Sequence, residues 1–404
     1  MVALKEVEPG LIELTEFESK YFAESAIPAA VGEMLWREYD AKGNRLRVEF
    51  PSPSTAYQWR LTAQGWVGRV PLSSGLSLTI YPKSALKNLF RMWEYAYDLR
   101  SFQLLEGLVD AQSILEFYER LAGVLAQRVL QRSRQGFHRA YLPRAGQLPY
   151  LRGRLSGQQP LQPGRVRLTC RYDEQTADIA DNQILAYTLG HIARSRRCRP
   201  QVQQQVRQAY RALQGVATPY PFGPADCQGR IYTRLSQDYQ PLHALCRFFL
   251  EHAGPDHGAG DHVMLPFLVD MARLYERFVA AWLKVHLPPA WHIKVQESVH
   301  VGSNNELRFN VDLVLYDRNG RTQCVLDTKY KVADKADNAD VSQIVTYAKA
   351  KGCREAVLIY PAPLQRPLDV EIGDLHVRSL TLALDADLEE AGQQFLVHLL
   401  QNRD

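Results

Sequence analysis

The chain has 404 residues, a net charge of +4, 46% hydrophobic and 23% charged residues. This is material for two or three domains with their own cores, and it excludes a disordered or fibrous chain. Six scattered cysteines without C-x-x-C spacing speak against a zinc ribbon or disulfide framework and for free thiols in a cytoplasmic protein. MVALKEVEPG lacks the apolar stretch of a leader, and no apolar run approaches the roughly 18 residues that span a bilayer, so no membrane association is expected.

Residues 1–103 read as a β-rich domain. Segments 11–14 and 45–50 alternate apolar and polar residues, with Lys42-Gly43-Asn44 as a turn. Segments 66–70 and 76–81 form a second pair around Ser73-Ser74-Gly75, and a helix is expected from about residue 84. Several short strands with turn signals suggest a small barrel or sandwich. The G-x-x-x-x-G-K-[ST] phosphate loop is absent from the whole chain, so no nucleotide is expected to bind to this chain itself.

Residues 104–262 read as mostly helical, with helices predicted at 113–130, 181–195 and 200–213. Between Arg120 and Arg171 stand eleven Arg and no Lys, Asp or Glu. Arg139, Arg144, Arg152 and Arg154 are interleaved with Phe137, Tyr141 and Tyr150. Guanidinium forks match phosphate geometry and aromatic rings stack on bases, so this block is the predicted DNA-binding region. An acidic partner protein is the alternative for part of it. The stretch EHAGPDHGAGDH carries His252, His257 and His262, but its Gly, Pro and Asp content reads as a linker rather than a metal site.

Residues 263–404 read as an α/β core. A helix at 265–286 stops at Pro288-Pro289, and strands follow at 291–300, 307–316 and 324–329. Asp317-Arg318-Asn319-Gly320 is turn chemistry that joins the last two. The hairpin brings Asp312 near Asp327, each embedded in an apolar strand. A carboxylate in such a place is costly unless it is paired or holds a cation. Lys329 shares a strand face with Asp327 by the period of two. Two buried carboxylates with a lysine beside them read as a hard-cation site with its own base or charge stabiliser. Gln343 and Tyr347 share one face of the next helix at i,i+4 spacing. Glu276 lies on the opening helix, and Glu297 on the first strand is a lesser candidate.

The set Asp312, Asp327-Thr328-Lys329 and Gln343-x-x-x-Tyr347 resembles the PD-(D/E)xK nuclease superfamily in its RecB-like branch, with Val311 where the motif's proline would stand. The resemblance implies a restriction-endonuclease-like fold in which Asp312 and Asp327 hold Mg²⁺, with Mn²⁺ as the alternative and the Thr328 carbonyl as a further ligand. Lys329 would orient the attacking water, Gln343 and Tyr347 would support the site, and Glu276 would complete it. Beyond this core, LTEFE at 14–18, GWVG at 65–68, IYPK at 80–83, YLP at 141–143, LRGRL at 151–155 and DNQIL at 181–185 stand in the order of the McrC family, the nuclease subunits of McrBC modification-dependent restriction systems. That resemblance implies a multidomain α+β chain that cuts double-stranded DNA carrying modified cytosine. It also implies docking of the 1–103 domain on a hexameric AAA+ GTPase of the McrB kind, whose GTP hydrolysis the chain stimulates. Segments 38–45 and 51–57 are candidates for the stimulating contact. The rivals are a stand-alone RecB-like repair nuclease, which would cut without an NTPase, and a non-catalytic activator of an AAA+ ring. The intact Asp312, Asp327 and Lys329 speak against the second.

Overall fold

The computed structural model of the chain describes residues 10–73, 76–99, 113–155, 167–195, 198–252, 257–259, 262–264, 267–301, 307–331 and 333–401. In the N-terminal part these are strands β1 (Leu11–Thr15) and β2 (Ser19–Phe22), helix α1 (Ala29–Leu35) continued by a π-helical turn at Trp36–Ala41, strands β3 (Leu46–Glu49), β4 (Trp59–Ala63), β5 (Trp66–Ser73) and β6 (Leu76–Tyr81), and helix α2 (Leu86–Ala96). The middle carries α3 (Ile114–Gln135), β7 (Ala140–Leu148), β8 (Arg154–Leu155), β9 (Leu168–Thr176), α4 (Ala180–Ser195), α5 (Pro200–Leu213) and α6 (Tyr239–Glu251). The remainder has β10 (His257–Ala259), β11 (His262–Met264), β12 (Phe267–Asp270), α7 (Met271–His286), β13 (Trp291–Val301), β14 (Leu307–Asp317), β15 (Thr322–Thr328), α8 (Asn338–Lys351), β16 (Glu355–Tyr360), β17 (Asp369–Ile372), β18 (Leu375–Thr381) and α9 (Leu388–Leu400). Among the described residues no helix is long and apolar enough to cross a membrane.

The chain packs as two compact units, residues 1–117 with 252–404, and residues 118–251. This differs from the expected boundaries at 103/104 and 262/263, and the reason is a short strand. The helix predicted over 265–286 begins only at Met271, where the Asp270 side chain caps it by accepting from Arg273 N at 3.1 Å. The apolar run before it, Phe267-Leu268-Val269, is buried as β12 and pairs antiparallel with β5. The sheet order is therefore β1-β6-β5-β12, with its last strand supplied by the C-terminal part. Gly68 permits this pairing. Its φ is +139°, and a Cβ there would meet the Phe267 carbonyl oxygen at 2.0 Å. The amide of Asn88 in α2 adds hydrogen bonds to the carbonyls of Leu384 and Ala386, both at 2.8 Å. The described residues between 10 and 99 thus belong to the same compact unit as the C-terminal core.

In that body, β2-β4-β3 forms a second small sheet. Burial alternates along β4, so Trp59, Leu61 and Ala63 face a core shared with Leu14, Leu35 and Ile80. The larger sheet runs β13-β14-β15-β16-β18-β17. It is antiparallel through β15, and β15, β16 and β18 are parallel, with α8 crossing between β15 and β16. Val325, Ala356 and Leu358 are fully buried because α8 covers that face with Ile344 and Ala348. In the second unit β9 lies between β7 and β8, so the region expected to be mostly helical also holds a three-stranded sheet.

Gly68→Ala tests the pairing that joins the two ends of the chain. It should cost about 2 kcal/mol or more in denaturant unfolding, because a forced φ and a blocked backbone approach act together. A loss below about 0.5 kcal/mol would show that β12 does not depend on that approach.

Candidate active site

The site grows out of the β14–β15 hairpin. These strands pair Leu313 with Leu326 and Val314 with Val325. Val314 and Val325 belong to the core under α8. Continuing the same register by one residue sets Asp312 opposite Asp327, and the period of two puts both on the face of Val314 and Val325. The apolar face thus ends in two carboxylates. Asp327 is 1% exposed, and its Oδ2 has the Lys329 ammonium 2.7 Å away as an ion-pair partner but no hydrogen bond of good geometry.

Burial, then the charges of Asp327 and Glu276, push the Asp312 carboxyl up to about 7. Lys329 is shifted too: burial works against its charge, yet Asp327, Asp340 and Asp312 outweigh it and hold the ammonium above the usual lysine range. Lys329 Nζ donates to Gln343 Oε1 at 3.0 Å, and Gln343 Nε2 donates to the Tyr347 hydroxyl at 2.8 Å. Helix α8 is aimed for this by its cap, the Asp337 side chain accepting from Ala339 N, and by Ile344 and Ala348 on its buried face. Tyr347 also packs on Phe309 of β14, with ring centroids 5.9 Å apart. Glu276 accepts from Gln296 Nε2 at 2.9 Å, and its effect on Asp312 places it within electrostatic reach. The structure therefore brings Asp312, Asp327, Lys329, Gln343 and Tyr347 together, with Glu276 beside them.

Glu297 does not join them. It accepts from Tyr316 OH at 2.6 Å and Lys351 Nζ at 3.0 Å, away from the carboxylate pair. Asp340, absent from the sequence-based set, lies 3.6 Å from Lys329 and also pairs with Lys331. Its signal was there to read: Asp340, Gln343 and Tyr347 recur at helical spacing on one face.

The donor chemistry fits a hard divalent cation. The buried Asp327 and the half-buried Asp312 repel each other until a positive charge lies between them, and that repulsion adds to burial in raising the Asp312 carboxyl. Among the described residues no three His, Cys, Asp or Glu close into a ligand cluster. Two carboxylates suit a cation that keeps waters and substrate oxygens as its other ligands. A second link fixes the strand behind the site. Tyr330, which follows Lys329, donates its hydroxyl to Glu16 Oε2 at 3.0 Å. Glu16 is fully buried, and burial pushes its carboxyl up to about 7 against the hydrogen bond from Tyr330.

The arginine block is less free than its sequence suggests. Arg120, Arg128, Arg132 and Arg134 lie on α3, whereas Arg144, Arg154 and Arg171 lie on β7, β8 and β9. Pairing sets Leu142 opposite Glu174, so that Arg144 and Arg152 lie 3.5 and 3.7 Å from the Glu174 carboxylate. Arg152 also lies over the Tyr172 ring at 4.1 Å. Acids beyond the end of the run thus neutralise part of it. Arg139 and Arg154 are exposed, as are Tyr141 and Tyr150 at 68% and 58%. His252, one of the three linker histidines, is buried and bonded to Tyr97 OH at 3.0 Å; the side chains of His257 and His262 lie outside the described residues.

These features define a multidomain α/β protein whose largest sheet carries an acidic, lysine-bearing centre. Residues 61–361, well over half of the chain, match the family model described as McrBC 5-methylcytosine restriction system component, and the chain belongs to that family. Over 221 residues, 52% of the chain, it is 22% identical to the type IV methyl-directed restriction enzyme EcoKMcrBC of Escherichia coli (strain K12), and it spans 61% of that relative's length. Its fold is similar to a chain in the refined half-complex from a tetradecameric assembly of Thermococcus gammatolerans McrB AAA+ hexamers with bound McrC. That similarity has a TM-score of 0.56 at 19% identity and covers 96% of this chain and 99% of the other.

The raised Asp312 carboxyl has a consequence for stability. A folded-state pKa above the unfolded value means that the folded chain binds the extra proton, so stability falls as pH rises from about 4 towards 7. In chelator, Asp312→Asn should therefore melt higher than the parent at pH 8, and the difference should close towards pH 5. An advantage that does not vary with pH would sever Asp312 from this titration.

Proposed function

We propose that the chain is the nuclease subunit of a McrBC-type restriction complex, with a PD-(D/E)xK centre that hydrolyses phosphodiester bonds of DNA carrying modified cytosine. The observation that carries this reading is the opposed Asp312–Asp327 pair with Lys329 held between Asp327 and Gln343. Asp312 and Asp327, with the Thr328 carbonyl, would hold Mg²⁺ or Mn²⁺. When bound, such a cation supplies Lewis acidity at the phosphate and lowers the pKa of a water molecule. Lys329 stays protonated among three carboxylates, so it orients the attacking water and shields negative charge on the phosphate as the transition state forms. Gln343 fixes the ammonium, and Tyr347 fixes Gln343. Glu276 adds a carboxylate at the rim.

The chain works with a hexameric AAA+ GTPase of the McrB kind, which it stimulates. Two features of the N-terminal part support a docking surface there. Tyr57 is 73% exposed and held at φ 57° immediately after Ala56 at φ 52°. Nearby, exposed Trp36 meets exposed Phe50 edge-on at 5.9 Å, and Trp36 opens a π-helical turn, a rare form that often marks functional sites. Aromatic side chains left in solvent on a constrained backbone suit a protein contact. Because β5 pairs with β12 and Asn88 bonds the carbonyls of Leu384 and Ala386, point substitutions probe docking where truncation would break these links.

With the GTPase partner, GTP and Mg²⁺, the variants Asp312→Asn, Asp327→Asn and Lys329→Ala should each lower DNA cleavage by about a thousandfold or more. Asp327→Asn should still raise GTP turnover fully, whereas Tyr57→Ala should lower it. Wild-type cleavage by any of the three site variants removes that residue from the centre. Cleavage by the intact chain with no partner would favour a stand-alone repair nuclease.

DNA binding should respond unevenly to the arginines. Arg139→Gln with Arg154→Gln should flatten the dependence of log K on log salt by about 0.9 for each phosphate that is no longer neutralised. Arg144→Gln with Arg152→Gln should change it less, since Glu174 already neutralises them. Equal slopes for both pairs would assign the block to packing or to a protein partner.

A further inference from the structure

Strand β13 holds one register against β14 on both sides of a single gap. Val295 pairs with Leu313 and Glu297 with Val311, but Gln296, which the same count sets opposite Asp312, has no ladder partner. At that position the backbone turns left-handed, with φ +50°. A long side chain in that region costs about 1 kcal/mol or more, and glutamine is not among the residues that visit it readily. This is no chain reversal, since the strand continues in the same register on both sides. The irregularity serves the side chain instead. Gln296 is exposed, yet its amide reaches helix α7 and donates to Glu276 Oε1 at 2.9 Å.

We propose that Gln296 is a positioning residue for the cation centre: its left-handed backbone and its amide hold the Glu276 carboxylate beside Asp312. This rests on the nuclease reading above. The bond occupies one oxygen of Glu276 and leaves the other for a cation-bound water. Glu276 is itself half-buried, and the Gln296 amide donates to its carboxylate from the neighbouring strand. Outer groups that orient a ligand in this way are commonly worth about tenfold or more in metal affinity. Sequence spacing gives no hint of the pairing, because Gln296 and Glu276 lie on different elements twenty residues apart.

Mn²⁺ binding to the intact chain, measured by calorimetry without DNA, provides a readout that needs no catalysis. Gln296→Gly removes the amide and suits a positive φ, so it should fold with equal or greater stability and bind Mn²⁺ about tenfold more weakly. Gln296→Asn keeps an amide and tolerates the same backbone, so it should retain more affinity than Gln296→Gly. Parent-like affinity in Gln296→Gly, or the reverse order of the two variants, overturns the inference. Asp312→Asn in the same titration separates the centre from its positioning. If the parent binds no better than Asp312→Asn, the cation centre itself fails; if only the Gln296 variants match the parent, the centre stands and the positioning role falls.

Discussion

Two like charges brought together out of water are the constraint around which the C-terminal core is arranged. Asp312 and Asp327 stand at the end of an apolar strand face, Asp327 buried and Asp312 half-buried, where solvent screens them poorly. Such a pair weakens the fold in proportion to how well it is prepared to hold a positive charge. The surroundings offset the cost without cancelling it. Lys329 lies against Asp327, Gln343 and Asp340 keep Lys329 in place, and the apolar contacts of Val314, Val325, Ile344 and Ala348 hold hairpin and helix in register. A proton on Asp312 is the remaining relief, and a divalent cation would replace it.

The same body extends into the N-terminal half of the chain. Strand β12 completes a sheet built mainly from residues before 82, and α7, with Glu276, begins directly after it. Tyr330, next to Lys329, is anchored on the buried Glu16. A surface expected to meet the GTPase partner and the strand that carries Lys329 therefore belong to one packed structure.

The centre was legible in the sequence because its logic is local. A period of two puts Asp327 and Lys329 on one strand face, the Asn319-Gly320 turn sets the hairpin, and i,i+4 spacing puts Gln343 with Tyr347. Those rules hold within a few residues of chain and survive any packing that keeps the elements intact. The predicted helix at 265–286 failed at its start for the opposite reason. Phe267, Leu268 and Val269 fit a helix or a buried strand equally well, and only β5, some two hundred residues earlier, decides between them.

Charge followed the same division. By its composition the run from Arg120 to Arg171 is free of acids, but antiparallel pairing brings Glu174 against Arg144 and Arg152. Gln296 carries no sequence signal at all, since neither its left-handed backbone nor its bond to Glu276 follows from its neighbours in the chain. The sequence by itself determined which residues could form an acidic, lysine-bearing centre, because alternation and helical period are properties of consecutive residues. Tertiary structure alone decided what stands around that centre, because the partners of Glu276, Tyr330, Arg144 and β12 come from distant segments that meet only when the sheets close.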